Sequence, residues 1–265
     1  MKKFITLAIA LVLLSGAGSA LGATVGDWAQ VMIQTNNGQS LPLYPKAVDS
    51  PKKKVYAEAV KGEEYKIVVS NLLPRRVGLV IAVDGRNIIS GKKSWLKNSE
   101  RMYILGPHET GEYRGWRTSS DRVNRFYFTD AADSYASAFG DKSAMGVIAL
   151  AVFPERERHV SPAPPADISR ERSGGATPQA PQAKRAPTDS ALESAGTGFG
   201  GDDYSPSRLV AFEPESQAIE TILIKYEWRS TLCRMGVTPC GIPLPPENRL
   251  WEEEEGYAPP PPWWG

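Results

Sequence analysis

Residues 77–84 read VGLVIAVD, a nearly unbroken run of apolar and β-branched side chains. Pro74 bounds the run upstream and Asp84-Gly85 ends it, so it reads as a buried strand. Residues 219–229, IETILIKYEWR, are the longest strand candidate. Ile222, Ile224, Tyr226 and Trp228 fall on one face at period two, against Thr221, Leu223, Lys225 and Glu227 on the other. Ile219, Ile222, Leu223 and Tyr226 also fit a helical face, but the β-branched and aromatic load favours a strand. Working outward, residues 29–34, 54–60, 64–71, 125–129, 146–153 and 208–212 carry similar strand signals. Residues 101–105 and 110–117 read as a pair around Gly106-Pro107. Only 130–139, DAADSYASAF, reads as a helix, with Gly140 as its stop. The expected fold is mostly β: an antiparallel two-sheet sandwich with one short helix, a jelly-roll-like arrangement being one option.

The flanks divide the chain further. Residues 1–22 form a signal peptide: Lys2-Lys3, an apolar run at 4–14, then small residues. That run is about half the length a membrane span needs, so no integral span is expected once it is removed. The expected location is the periplasm, the cell surface or the medium. The β-sandwich domain covers 23–153. Residues 154–203 are rich in Pro, Ser and Gly, and 154–198 hold no Phe, Trp or Tyr. Such a stretch buries too little apolar surface to offset its ordering entropy, so it is expected to be a disordered excursion. Residues 204–240 return as strands that complete the β-domain. Residues 241–265 form a disordered acidic, proline-rich tail ending in Trp263 and Trp264. Its rigid prolines would hold that Trp pair out for docking to a partner.

Composition excludes several classes. Lys and Arg total 31 against 30 Asp and Glu, so no overall field steers the chain to nucleic acid or anionic lipid. Two His and two Cys exclude zinc sites of three histidines or four cysteines, and no metal or cofactor is implied. In an oxidising compartment, Cys233 and Cys240 are expected to form a structural disulfide worth about 2 kcal/mol in the chain-entropy model. The formal G-x-G-x-x-G match at 196–201 lacks the strand and helix that a nucleotide loop needs, so it reads as a flexible hinge. His108, in a Pro/Gly turn, pairs with no serine elbow.

Weak binding candidates remain. Asp84 and Asn87 sit in a tight turn after the buried strand, where turn-making is the simpler role and contact with a sugar or cation the functional one. Trp95 and Trp116 serve either the core or a stacking face. The basic residues Arg75, Arg76, Lys92, Lys93, Arg114, Arg117, Arg122 and Arg125 alternate with apolar residues, which favours solvated faces over a polyanion patch.

Five segments carry a resemblance: VIAVDGRN at 80–87, GWRTS at 115–119, FYFTDAADSY at 126–135, GVI at 146–148, and GTGFG at 196–200 with Ser205-Pro206. On these, the chain resembles an uncharacterised group of exported bacterial β-rich proteins. The resemblance implies a shared exported domain and assigns no catalytic residue. The expected function is non-enzymatic: an exported envelope or surface protein that binds a protein or a glycan. The alternative is a cell-envelope hydrolase acting on polysaccharide through paired carboxylates drawn from Asp84, Glu109, Asp130 and Asp133.

Overall fold

A computed structural model describes residues 24–46, 52–157 and 194–240. The expected signal peptide, the 158–193 part of the excursion and the 241–265 tail with Trp263 and Trp264 lie outside the described residues.

The described chain is mostly strand. In order the strands are β1 (Ala29–Thr35), β2 (Leu43–Pro45), β3 (Lys53–Ala59), β4 (Glu64–Asn71), β5 (Val77–Val83), β6 (Arg86–Asn87) and β7 (Tyr103–Leu105). Then come β8 (Thr110–Tyr113), β9 (Gly115–Arg117), β10 (Arg122–Asp130), β11 (Val147–Pro154), β12 (Ala195–Thr197), β13 (Asp202–Tyr204) and β14 (Glu220–Trp228). The first sheet runs β1-β4-β10-β12, with β8 on β4 and with β9 and β13 on β10. The second runs β2-β3-β14-β11-β5-β6, with β7 on β5. Their inner faces meet in one core, where Ile33, Tyr65 and Phe128 of the first sheet pack with Ile81, Ile148 and Ile224 of the second. The fold is a two-sheet sandwich.

The strand at 77–83 is buried along its whole length because both faces are covered. Leu79, Ile81 and Val83 enter the main core. On the outer face, Val80, Ala151 and Phe153 pack under Leu96, Met102 and Ala218. Gly78 lies beneath the same cover: a Cβ there would fall 2.3 Å from the Met102 sulfur and 2.7 Å from the Phe212 ring. The Asp84-Gly85 turn forms as read. Val83 pairs with Arg86, and φ is 50° at Asp84 and 78° at Gly85, both in the left-handed region a type I′ hairpin needs.

Several expectations are corrected. The sandwich is not wholly antiparallel, since β14 runs parallel to β3 while pairing antiparallel with β11. Residues 101–105 and 110–117 do not pair with each other. β7 joins β5, β8 joins β4 and β9 joins β10, because the turn after β7 carries the chain from one sheet to the other. Residues 208–212 make no strand; they run over the outer face of the second sheet, where Leu209 is 89 % exposed. The expected helix at 130–139 is broken at Ser134, whose backbone is extended between a 3-10 turn (Ala131–Asp133) and α1 (Tyr135–Ala138). A second helix, α2 (Arg229–Arg234), follows β14 directly. The boundary of the excursion moves as well: residues 195–204 are not a hinge but run antiparallel along β10. Among the described residues, no helix is long and apolar enough to cross a membrane.

Candidate functional site

The turn residue Asp84 lies wholly inside the sandwich, at 0 % exposure. One carboxylate oxygen accepts the Tyr226 hydroxyl at 2.6 Å and the Gly146 N–H at 2.8 Å; the other accepts the Thr197 N–H at 2.7 Å. The Thr197 hydroxyl stands 2.7 Å from the Tyr226 hydroxyl and 2.8 Å from that of Tyr65. With Tyr226 donating to an ionised Asp84, the consistent proton order runs from Tyr65 to Thr197 to Tyr226 to Asp84. Two members come from each sheet, so the chain of hydroxyls bridges the sandwich. Burial raises the Asp84 carboxyl to about 6, against the opposing pull of Tyr226, Thr197, Gly146 and Val147. Asp84 has no open face for a sugar or cation, and its role exceeds that of tying its own turn.

The other sequence candidates separate. Asn87 is buried and structural: its amide donates to the Arg101 carbonyl at 2.8 Å, and its oxygen accepts the N–H groups of Ile89 and Ser90. Trp116 is core, 2 % exposed, with its indole N–H on the Gly198 carbonyl at 2.9 Å. Trp95 is 69 % exposed. Cys233, in the last turn of α2, is joined to Cys240 beyond it as a disulfide. Most of the basic residues are neutralised in pairs: Arg75 with Glu215, Arg76 with Glu155, Arg122 with Asp202 and Arg125 with Glu64. Among the carboxylates considered for hydrolysis, Asp130 pairs with Lys61, and Glu109 accepts the Gly106 N–H of its own turn at 2.6 Å. Among the described residues, no three His, Cys, Asp or Glu side chains gather as a metal site.

What the structure does bring together at the surface is a row of rings. Tyr135 lies against buried Trp116 at 4.3 Å. On its outer side Phe199 stacks at 5.4 Å with the planes 17° apart, and Phe139 meets its edge at 5.0 Å. Each phenylalanine leaves about half of its surface in water. The Arg86 guanidinium sits 4.2 Å from the Phe139 ring centre. Arg86 bridges to Lys93 through the backbone, and the Lys93 ammonium lies 5.4 Å from the Trp95 ring centre. Among the described residues, Trp95 makes no ring contact with Tyr135, Phe139 or Phe199 and is linked to them through Lys93 and Arg86 alone, with Asp141 beside Lys93 at 3.7 Å.

Tyr135, Phe139 and Phe199 are positioned by elements that sequence reading placed imperfectly. Tyr135 and Phe139 are four apart, one at the start of α1 and the other at its C-cap. The Ser134 hydroxyl caps that helix by accepting the Ser137 N–H at 3.2 Å. Phe199 is held out by the pairing of β12 with β10, continued by the Gly198 and Gly200 N–H groups on the Tyr127 and Arg125 carbonyls. The i, i+4 spacing of Tyr135 and Phe139 was a usable signal for the first two rings. Phe199, isolated among glycines, gave none. Comparison with protein-family models, curated proteins and solved structures gives no match for this chain.

Proposed function

We propose that the chain is an exported, non-enzymatic binding protein of the cell envelope or surface, and that it takes a glycan on Phe199, Phe139 and Trp95. The observation that carries this reading is the exposed aromatic row itself. Large rings left in water contribute little to folding, and contiguous ones mark a contact surface. Pyranose rings present apolar C–H faces that stack on aromatic faces, while their hydroxyls bond to flanking polar groups. Here the flanking groups are Arg86, Lys93 and Asp141 rather than aliphatic side chains. A protein partner would call instead for an apolar core with a polar rim.

Affinity electrophoresis of the mature protein through gels containing a panel of polysaccharides tests the reading. At least one polymer is expected to retard the parent. The variant Trp95→Ala/Phe139→Ala/Phe199→Ala is expected to run freely while still unfolding cooperatively, at a melting temperature lowered by the lost packing of Phe139 and Phe199 on Tyr135. The reading fails if no polymer retards the parent, or if the triple variant is retarded as strongly.

A further inference from the structure

A trench runs along the β7 edge of the second sheet, walled by residues 98–104 and 206–214 and, at one end, by residues 89–93 and by 117–120 from β9 of the first sheet onward. It consists of two continuous hollows of about 750 Å³ and about 700 Å³, which share Glu100, Arg101, Met102, Tyr103, Arg208 and Leu209 among their walls. The trench meets the aromatic row at Lys93, which lines the first hollow and touches Trp95.

The walls of the larger hollow are cationic and hydroxylated, while the other hollow sets Arg76, Arg101 and Arg208 beside Glu100 and Glu109. Lys92, Lys93, Arg101, Arg117 and Arg208 line the larger hollow, and Glu100 is the one carboxylate there. Arg117 is spent internally, on the Tyr103 hydroxyl at 2.8 Å and the Ser205 carbonyl at 2.9 Å. Lys93 has Asp141. Lys92, Arg101 and Arg208 are exposed and make no ion pair among the described residues. Glu100 does not neutralise them. Its carboxylate is turned inward onto the Ser94 hydroxyl at 2.7 Å and the Trp95 and Lys97 N–H groups at 2.8 and 3.0 Å. Ser90, Ser99, Thr118, Ser119 and Ser120 add hydroxyls along the same walls.

We propose that this trench binds an anionic polysaccharide chain, its acid groups paired with Lys92, Arg101 and Arg208 and its sugar hydroxyls with the serine and threonine walls. The inference rests on the glycan reading and adds the chemical class of the glycan. Three unpaired cations spread through an elongated trench suit a repeating anion, not a single small one. A flat bilayer would need cations that protrude, and these line a hollow. Single-stranded nucleic acid would need free ring faces for its bases. The one ring in the larger hollow, Tyr103, is occupied by Arg117 at 5.4 Å and Tyr113 at 4.5 Å.

The probes are polygalacturonate and dextran sulfate as anionic polymers and dextran as the neutral control, run against the full mature chain. The parent is expected to bind the anionic polymers, with affinity falling about tenfold or more as salt rises from about 0.05 M to about 0.3 M. Lys92→Ser/Arg101→Gln/Arg208→Gln is expected to lose about tenfold or more of that affinity at unchanged melting temperature, because the three side chains are exposed and unpaired. Equal binding of the anionic polymers by parent and variant overturns the proposal. If Trp95→Ala/Phe139→Ala/Phe199→Ala alone abolishes retention, the glycan reading survives without the charge class. If the parent prefers dextran, the proposal is likewise overturned while the glycan reading stands. If it binds none of the panel, both fall. Displacement of polygalacturonate by a single-stranded oligonucleotide or by anionic lipid vesicles, at matched charge and with higher affinity, assigns the trench to that other class and overturns the proposal.

Discussion

At the scale of single residues, Asp84 carries the most consequence. Its partners lie 62, 113 and 142 residues away along the chain, at Gly146, Thr197 and Tyr226. The Asp-Gly turn was therefore legible in the sequence, because φ preference is local, while the buried network was not, because every partner is distant. Asp84→Ala leaves the Tyr226, Thr197 and Gly146 donors facing an apolar gap, and it is expected to cost about 3 kcal/mol or more in chemical denaturation. The pH dependence has a definite sign. The carboxyl binds its proton more tightly folded than unfolded, with the folded value at about 6 against an ordinary 3.8. Its stabilising contribution is therefore fully present below about pH 4 and is lost as pH rises to about 6, a change of about 3 kcal/mol. Glu112 moves the other way, held below its ordinary value by Lys66 and Arg114, so whole-protein stability mixes both signs. The informative measurement is the difference in unfolding free energy between parent and Asp84→Asn. The parent's advantage is expected to shrink between about pH 4 and about pH 6.5 and then level off. A gap that widens over that range contradicts the assignment.

Elements show where sequence reading succeeds and where it stops. Alternation placed Ile222, Ile224 and Tyr226 on one face of β14, and all three are in the core. It did not reveal that β14 runs parallel to β3, because pairing direction depends on the chain between them and not on the pattern within either. Composition misjudged 195–201 for a physical reason. Glycine-rich sequence reads as freedom when it stands alone, yet here the glycines are required by close approach. A Cβ on Gly198 would fall 2.1 Å from the Tyr127 ring, and the Gly198 carbonyl is the acceptor for Trp116. Gly198→Ala is expected to destabilise the fold by about 1–3 kcal/mol, read as a lowered denaturation midpoint. A free hinge at that position would tolerate or even gain from alanine. The aromatic row shares this history: Tyr135 and Phe139 follow helical spacing that a sequence exposes, while Phe199 depends on a strand that only the folded partner β10 defines.

Over the whole molecule, charge balance and chain connectivity both conceal more than they reveal. Near-equal totals of basic and acidic residues leave their distribution open: Arg75, Arg76 and Arg125 face carboxylates, while Lys92, Arg101 and Arg208 of the trench make no ion pair among the described residues. Connectivity is the stronger test of the architecture. Residues 194–240 enter both sheets: β12 and β13 lie along β10, and β14 fills the gap between β3 and β11. The Glu220 carboxylate also accepts the N–H groups of Asp27, Trp28 and Ala29, fastening β14 to the start of β1. A chain ending at 157 would open two strand edges, lose Ile222, Ile224 and Tyr226 from the core at about 2–3 kcal/mol each, and leave Asp84 without two of its donors. These contacts are non-covalent, so a separate second chain can supply them at sufficient concentration. Tagged 24–157 produced alone is therefore expected to be insoluble or to lack a cooperative thermal transition. Co-produced with untagged 194–265, it is expected to retain the second chain on the tag and to melt in one transition. If 24–157 alone unfolds cooperatively at the temperature of the intact protein, β14 is an accessory and not the strand that closes the second sheet.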